Sequence, residues 1–144
     1  MGAFKVRYME SGDYDRGLFE VLQQLTASPK VERQVFEKLL EEVKGDGYYH
    51  WMVVEVDGLV VGCGSLVVER KLIHSCGLVG HVEDIVVDES FRGKGAGKAL
   101  LEKLSGKAKE VGCYKATLDC QDDRVPFYEK CNYKRRGAQM ALYF

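Results

Sequence analysis

The chain is predicted to form one layered α/β (α+β) domain over residues 1–144, a mixed β-sheet flanked by helices. Three observations predict it. Apolar residues recur with period two in some segments and at helical spacing in others, in the order β, α, α, β, β, β, α, β, α, β. Asp57-Gly58 separates two apolar runs, a strong short-range hairpin signal. Residues 82–120 read as strand, helix, strand, a crossover whose strands should run parallel and whose connection should be right-handed. A chain of 144 residues fits one ordinary domain and needs no disulfide or metal staple to bury a core.

Phe4 to Met9 alternates as a strand, and Ser11-Gly12-Asp13 resembles a helix N-cap region. Leu18, Val21, Leu22 and Leu25 recur at helical spacing. A second helix is expected over 31–43, with Val35, Phe36, Leu39, Leu40 and Val43 on one stripe. Trp51–Val56 and Leu59–Val68 form the hairpin, and Val82–Val87 is a further strand. A Gly-rich loop leads into a helix over 95–111, which should bury Leu100, Leu104, Ala108 and Val111. A strand at 115–120, a short helix at 125–131 and a terminal strand at 133–144 complete the order.

Composition excludes several classes. The formal net charge of -1 lacks the basic excess of a general nucleic-acid binder. Cys63, Cys76, Cys113, Cys120 and Cys131 are widely spaced and contain no C-x-x-C pair, so no zinc site is expected. An odd cysteine count suits reduced thiols in a cytosol-like compartment. Residues 1–5 carry no apolar signal core, and no run approaches the roughly 18 apolar residues of a membrane span. A cytoplasmic protein with no membrane partner is expected, an organelle lumen remaining open.

The most informative segment is Arg92-Gly-Lys-Gly-Ala-Gly-Lys98, between a strand and a helix. Glycines permit close backbone approach and positive φ, and a helix N-terminus offers unpaired N–H groups at its positive dipole end. Together with Arg92, Lys94 and Lys98 they make an anion site suited to phosphates. A nucleotide-triphosphate loop is excluded, because Arg92 stands where its first Gly belongs and Ala99 where its Ser/Thr belongs. The dinucleotide spacing fails in both frames, at Lys98 and at Leu100. A Gly-rich turn serving only tight packing is the plain alternative.

Arg92, Gly95 and Gly97 at a strand-to-helix joint resemble the pyrophosphate loop of the GNAT acetyltransferases. Glu69-Arg-Lys-Leu-Ile-His74, Gly80-His-Val-Glu-Asp-Ile-Val-Val87, Gly112–Cys120 and Phe127-Tyr-Glu-Lys-Cys131 extend the resemblance, over nearly the whole chain, to the glucosamine 6-phosphate N-acetyltransferase branch. The resemblance implies the GNAT fold, acetyl-CoA as co-substrate without a metal, and glucosamine 6-phosphate as acceptor. It places Thr26, Lys71, Leu72, Ile73, His74, Glu83, Asp84, Asp119 and Cys120 at the acceptor. It places Ile85, Val86, Val87, Arg92, Gly93, Lys94, Gly95, Ala96, Gly97, Lys98, Tyr128 and Lys130 at the CoA moiety. Tyr128, Asp119 and Glu83 are the implied catalytic set. It also implies a homodimer with the C-terminal strand packed across the subunit boundary. Two departures stand out: Arg124 occupies a place where the superfamily commonly has Asn, and Tyr143 stands near the place of a basic residue that Arg135 or Arg136 would have to replace.

The residue types suit the chemistry. An amine must attack a thioester in its neutral form, and direct transfer needs both substrates aligned together. A backbone N–H near Ile85 or Val86 would face the developing oxyanion. Tyr128 would protonate the departing thiolate. Lys71 and His74 are suited to a phosphate. Glu83 and Asp84 are adjacent on a strand, so they face opposite ways and cannot form an acid–base pair. His50 and His81 are assigned no role. An acetyltransferase for another amine and a non-catalytic acyl-CoA sensor are the alternatives.

Overall fold

The computed structural model describes residues 3–144. Met1 and Gly2, part of the stretch read as lacking a signal core, lie outside the described residues. The elements are β1 (Lys5–Tyr8), α1 (Leu18–Leu22), α2 (Arg33–Asp46), β2 (Tyr49–Val56), β3 (Leu59–Arg70), β4 (Leu78–Val87), α3 (Ala96–Glu110), β5 (Cys113–Thr117) and α4 (Val125–Lys130). One sheet has the order β1-β2-β3-β4-β5. Its first three pairings are antiparallel, and β4–β5 is the parallel pair closed by the α3 crossover. The expected mixed sheet and crossover are therefore present. No helix among the described residues is long and apolar enough to cross a membrane.

Each sheet face packs its own core. On one face Met52, Val54, Leu66, Val68 and Val82 meet Leu100, Leu101, Leu104 and Ala108 of α3. On the other, Val53, Val60, Cys63 and Val86 meet Leu18, Phe19 and Val21 of α1 and Phe36 and Leu40 of α2. Val53 and Val54 point in opposite directions and are both fully buried. This is why the middle of β2 reads as a continuous apolar run rather than an alternating one.

Both β4 residues Val82 and Val86 are apolar and buried, yet they pack on opposite faces. A bulge between them explains the switch. Ser65 opposes Glu83 and Cys63 opposes Val86, so Asp84 and Ile85 together face the single residue Gly64. Asp84 takes up the extra length at φ 54°, a region Asp tolerates better than most residues. A Cβ on Gly64 would sit 2.4 Å from Ile85 Cδ1 and 3.2 Å from Leu104 Cδ1, so only glycine leaves room for the bulged Ile85.

A buried ion pair ties the N-terminal strand to the sheet. Arg7 donates to both Asp13 carboxylate oxygens at 2.7 and 2.9 Å, and its Nε donates to Glu55 at 2.7 Å. The Asp13 side chain is fully buried and also accepts from the Glu10 N–H at 2.8 Å, closing the short turn at Ser11–Asp15. The N-cap signal read at 11–13 thus serves this turn.

Three expectations are corrected. Residues 133–144 form no strand. Met140, Leu142, Tyr143 and Phe144 are 78–114% exposed, because the chain offers them no apolar face of its own. Val35 and Leu39 are exposed, since the buried face of α2 follows Phe36, Leu40 and Val43. The parallel strand ends at Thr117, short of the expected 120.

Gly64→Ala should cost about 1–3 kcal/mol by forcing the bulge and α3 apart. Asp13→Ala should cost about 3–5 kcal/mol by leaving Arg7 unpaired in the interior. Urea unfolding of both variants against wild type measures the two values.

Candidate active site

The parallel pairing of β4 with β5 runs only from Leu78/Cys113 to His81/Thr117. Beyond it β4 continues to Val87, whereas the other chain turns away through Leu118–Gln121. The backbone of 82–87 on that side has no neighbouring strand, and a cleft of about 750 Å³ opens there. Thr26, Glu83, Asp84, Ile85, Val86, Val87, Arg92, Gly93, Gly95, Gly97, Lys98, Asp119, Cys120 and Tyr128 all line it. Segments separated by a hundred residues therefore share one cavity.

At one end lies the glycine loop. Gly93 and Gly95 adopt φ of 73° and 93°, and a Cβ on either would meet nothing within 4 Å. Their requirement is conformational: L side chains rarely take these angles. Gly95 caps α3, whose first N–H groups have no intrahelical acceptor. Arg92 donates from Nε to the Val87 carbonyl at 2.9 Å, and Lys94 donates to the Ser90 carbonyl at 2.8 Å. Lys94 thus braces the loop from outside the cleft. Ala96 is buried in the α3 core, and Lys130 is exposed on α4 away from the cleft lining. Unpaired amides at a positive helix end, with Arg92 and Lys98 alongside, fit a pyrophosphate.

At the other end stand Glu83, Asp84 and Asp119. Burial pushes the Glu83 carboxyl up, and the nearby Asp119 and Asp84 charges push it further. Asp119 also accepts from Gln139 Nε2 at 2.8 Å, which folds the C-terminal segment over this end. Tyr128, on α4, lines the same cleft. Its ring meets Phe127 edge-on at 5.0 Å and Tyr133 at 6.3 Å. Burial raises its phenol above the ordinary tyrosine value, against the opposing pull of Arg124. The hydroxyl therefore keeps its proton at neutral pH and is available as a hydrogen-bond donor.

Lys71, Leu72, Ile73 and His74 do not reach this cleft. They form an exposed turn in which His74, Ser75 and Cys76 are all left-handed, with φ of 52°, 56° and 58°. Each such residue costs about 1–2 kcal/mol. Leu72 is 91% exposed, and the His74 ring stacks on Tyr114 at 4.3 Å. Lys71 Nζ is paired with Glu69 at 3.0 Å. Arg135 is likewise paired, with Asp122 at 2.6 Å on the exposed surface.

Gln24 and Gln121 line the cleft and were not anticipated. Gln24 bonds Asp88 Oδ2 at 2.8 Å and accepts from the Glu89 N–H at 2.9 Å, so it links the segment carrying Thr26 to the glycine loop. Nothing local in the sequence marks it, because its partners lie 64 and 65 residues away.

Comparisons with known proteins agree with this geometry. The model of the acetyltransferase (GNAT) family matches residues 17–133. Glucosamine 6-phosphate N-acetyltransferase 1 of Dictyostelium discoideum is 41% identical over 95% of this chain and 88% of its own. The Arabidopsis thaliana glucosamine 6-phosphate N-acetyltransferase is 40% identical over 98% of this chain and 97% of its own. The crystal structure of an Arabidopsis thaliana enzyme of that name superimposes with a TM-score of 0.96 over 99% of both chains. By its cleft, its fold and these relationships, the chain belongs to the acetyltransferase (GNAT) family and to its glucosamine 6-phosphate N-acetyltransferase branch.

Proposed function

We propose that the protein transfers the acetyl group of acetyl-CoA to the amine of glucosamine 6-phosphate, giving N-acetylglucosamine 6-phosphate and CoA. The observation that carries it is one cleft lined by a phosphate cradle, a carboxylate cluster and Tyr128. The relatives' names supply the acceptor.

Each part has a task. The α3 N-terminus, Arg92 and Lys98 hold the pyrophosphate of the co-substrate. The unpaired β4 backbone over 82–87 takes the extended arm as a strand takes a neighbour. An N–H near Ile85 or Val86 faces the negative charge that develops on the thioester oxygen. Glu83, with its raised affinity for a proton, receives one from the acceptor ammonium, and the Asp119 carbonyl orients the amine. Tyr128 protonates the departing sulfur. Direct transfer in one bound assembly needs no covalent enzyme intermediate and no metal.

The acceptor's phosphate needs cations beyond the cleft. Lys71 and His74 supply them in this reading, on an exposed turn that a second subunit would cover. Exposed Leu72, Ile73, Met140, Leu142, Tyr143 and Phe144 support a homodimer in which the C-terminal segment packs across the boundary. The five free cysteines, with the Cys63 thiol pushed up to about 12 by burial, suit a reducing compartment such as the cytoplasm.

Thiol release from acetyl-CoA, with glucosamine 6-phosphate, glucosamine and spermidine in parallel, tests the acceptor. Rapid release with the sugar phosphate alone is expected; release only with another amine would keep the reaction class and remove this acceptor. Tyr128→Phe should lower kcat by about 10²-fold at unchanged acetyl-CoA KM. It should also abolish the fall in rate expected of wild type in strong alkali, where the phenol, held above the ordinary tyrosine value by burial, ionises. Deleting residues 140–144 should convert dimer to monomer in light scattering; an unaltered mass would remove the tail from the interface.

A further inference from the structure

The sheet face opposite α3 carries a line of polar side chains that the scheme above leaves idle. Ser65 opposes Glu83, Val67 opposes His81, and His81 opposes Thr117, so these residues share one face with Glu69 of β3. His81 Nε2 lies 2.7 Å from Glu69 Oε1, and its Nδ1 lies 3.3 Å from the Thr117 hydroxyl. A carboxylate only accepts, so Nε2 carries the hydrogen and Nδ1 the lone pair, which accepts from Thr117. Lys71 Nζ holds the same carboxylate at 3.0 Å. The His81 and Lys71 contacts keep Glu69 below the usual carboxylate range, hence ionised. An imidazole oriented by a carboxylate, with its basic nitrogen turned the other way, is a general-base arrangement.

Its position gives it a task. His81 is the last β4 residue paired with β5, at the point where the cleft begins. Glu83 is the next residue on the same face, with its backbone about 6.6 Å along the strand, so the two side chains stand side by side over the mouth of the cleft. The charged or polar groups facing His81 are Glu69 and Lys71 from β3 and its extension, Thr117 from β5, and Glu83 on its own strand. Lys115, also on β5, lies over the Tyr114 ring at 5.8 Å.

We propose that the Glu69–His81 pair is the proton exit of this site, carrying the acceptor's proton from Glu83 to solvent. The inference rests on the acetyl-transfer reading of the cleft. An ammonium acceptor must lose two protons for one amide. The first passes to the Glu83 carboxylate, freeing the nitrogen lone pair. Glu83 hands it through water to the Thr117 hydroxyl, which passes its own hydrogen to His81 Nδ1, and the imidazolium, balanced by ionised Glu69, releases a proton to bulk. The nitrogen lone pair then forms the C–N bond as the C–S bond breaks. The second proton leaves the nitrogen for the same Glu83 carboxylate, now emptied, and follows the first to bulk; Tyr128 gives its own proton to the sulfur and regains one from solvent, so one proton is released per acetyl transferred.

The test is thiol release by the full chain as a function of pH, for wild type, His81→Ala, His81→Gln and Glu69→Gln, with and without added imidazole. His81→Ala should lose about tenfold in kcat near neutral pH, at unchanged acetyl-CoA KM, with the deficit shrinking in alkali. Imidazole should restore most of that loss in His81→Ala and none in His81→Gln, whose side chain fills the space. Glu69→Gln should also lower kcat near neutral pH at unchanged acetyl-CoA KM, because the ring loses the carboxylate that orients it. Full activity in His81→Ala overturns the proposal. So does a loss that is equal at every pH and insensitive to imidazole, since that pattern marks a strand latch. Wild type separates this from the parent reading: release only with another amine removes glucosamine 6-phosphate, and the same rescue series is then run with that amine. Binding of acetyl-CoA with no release to any amine removes both.

Discussion

The whole site depends on β4 and β5 parting after His81 and Thr117. A parallel pair normally satisfies its backbone along its length, and an unpaired stretch inside a sheet leaves donors and acceptors waiting. Here the stretch is held open by construction. The Asp84–Ile85 bulge re-aims β4, and the absent side chain of Gly64 accepts Ile85 against α3. The bulge also changes which residues face which side, so Glu83 and Ile85 serve different surfaces although both have odd numbers. The glycine loop follows within a few residues, which fixes its distance from the opened backbone.

Electrostatics divides the cleft. Cationic side chains and a helix end occupy the phosphate side, and carboxylates occupy the other. The carboxylate side would attract a cationic group. Burial, and then the Asp119 and Asp84 charges, raise the proton affinity of Glu83, which suits it to accept a proton and also to pass it on. Burial likewise keeps Tyr128 neutral.

Much of this was legible in the sequence. Period-two and helical spacing located the strands and helices, because both depend on burial of one face. The glycine loop was legible because its backbone angles and unpaired amides need particular residues at particular spacings. The terminal strand was misread: Met140, Leu142, Tyr143 and Phe144 have strand composition, but pairing and burial are properties of a partner surface that a single chain does not display. The role of Gln24 and the Glu69–His81–Thr117 contacts were illegible for a related reason. They join residues from different elements, and nothing adjacent in the chain records the register between those elements. The sequence assigns His81 no role, and only the β3–β4 register brings a carboxylate to its ring.

The donor end is made chiefly of main chain: glycine amides, a helix terminus and an open strand edge. Main-chain groups are the same whatever the side chains, provided the backbone path survives. The acceptor end is made of side chains, Glu83 and Asp84 on β4 and Asp119 in the segment after β5. Substitutions there can alter which nucleophile is welcomed while the carrier is still gripped as before. Such a molecule is modular in evolutionary terms, with a fixed socket for the activated group and an interchangeable mouth for its recipient.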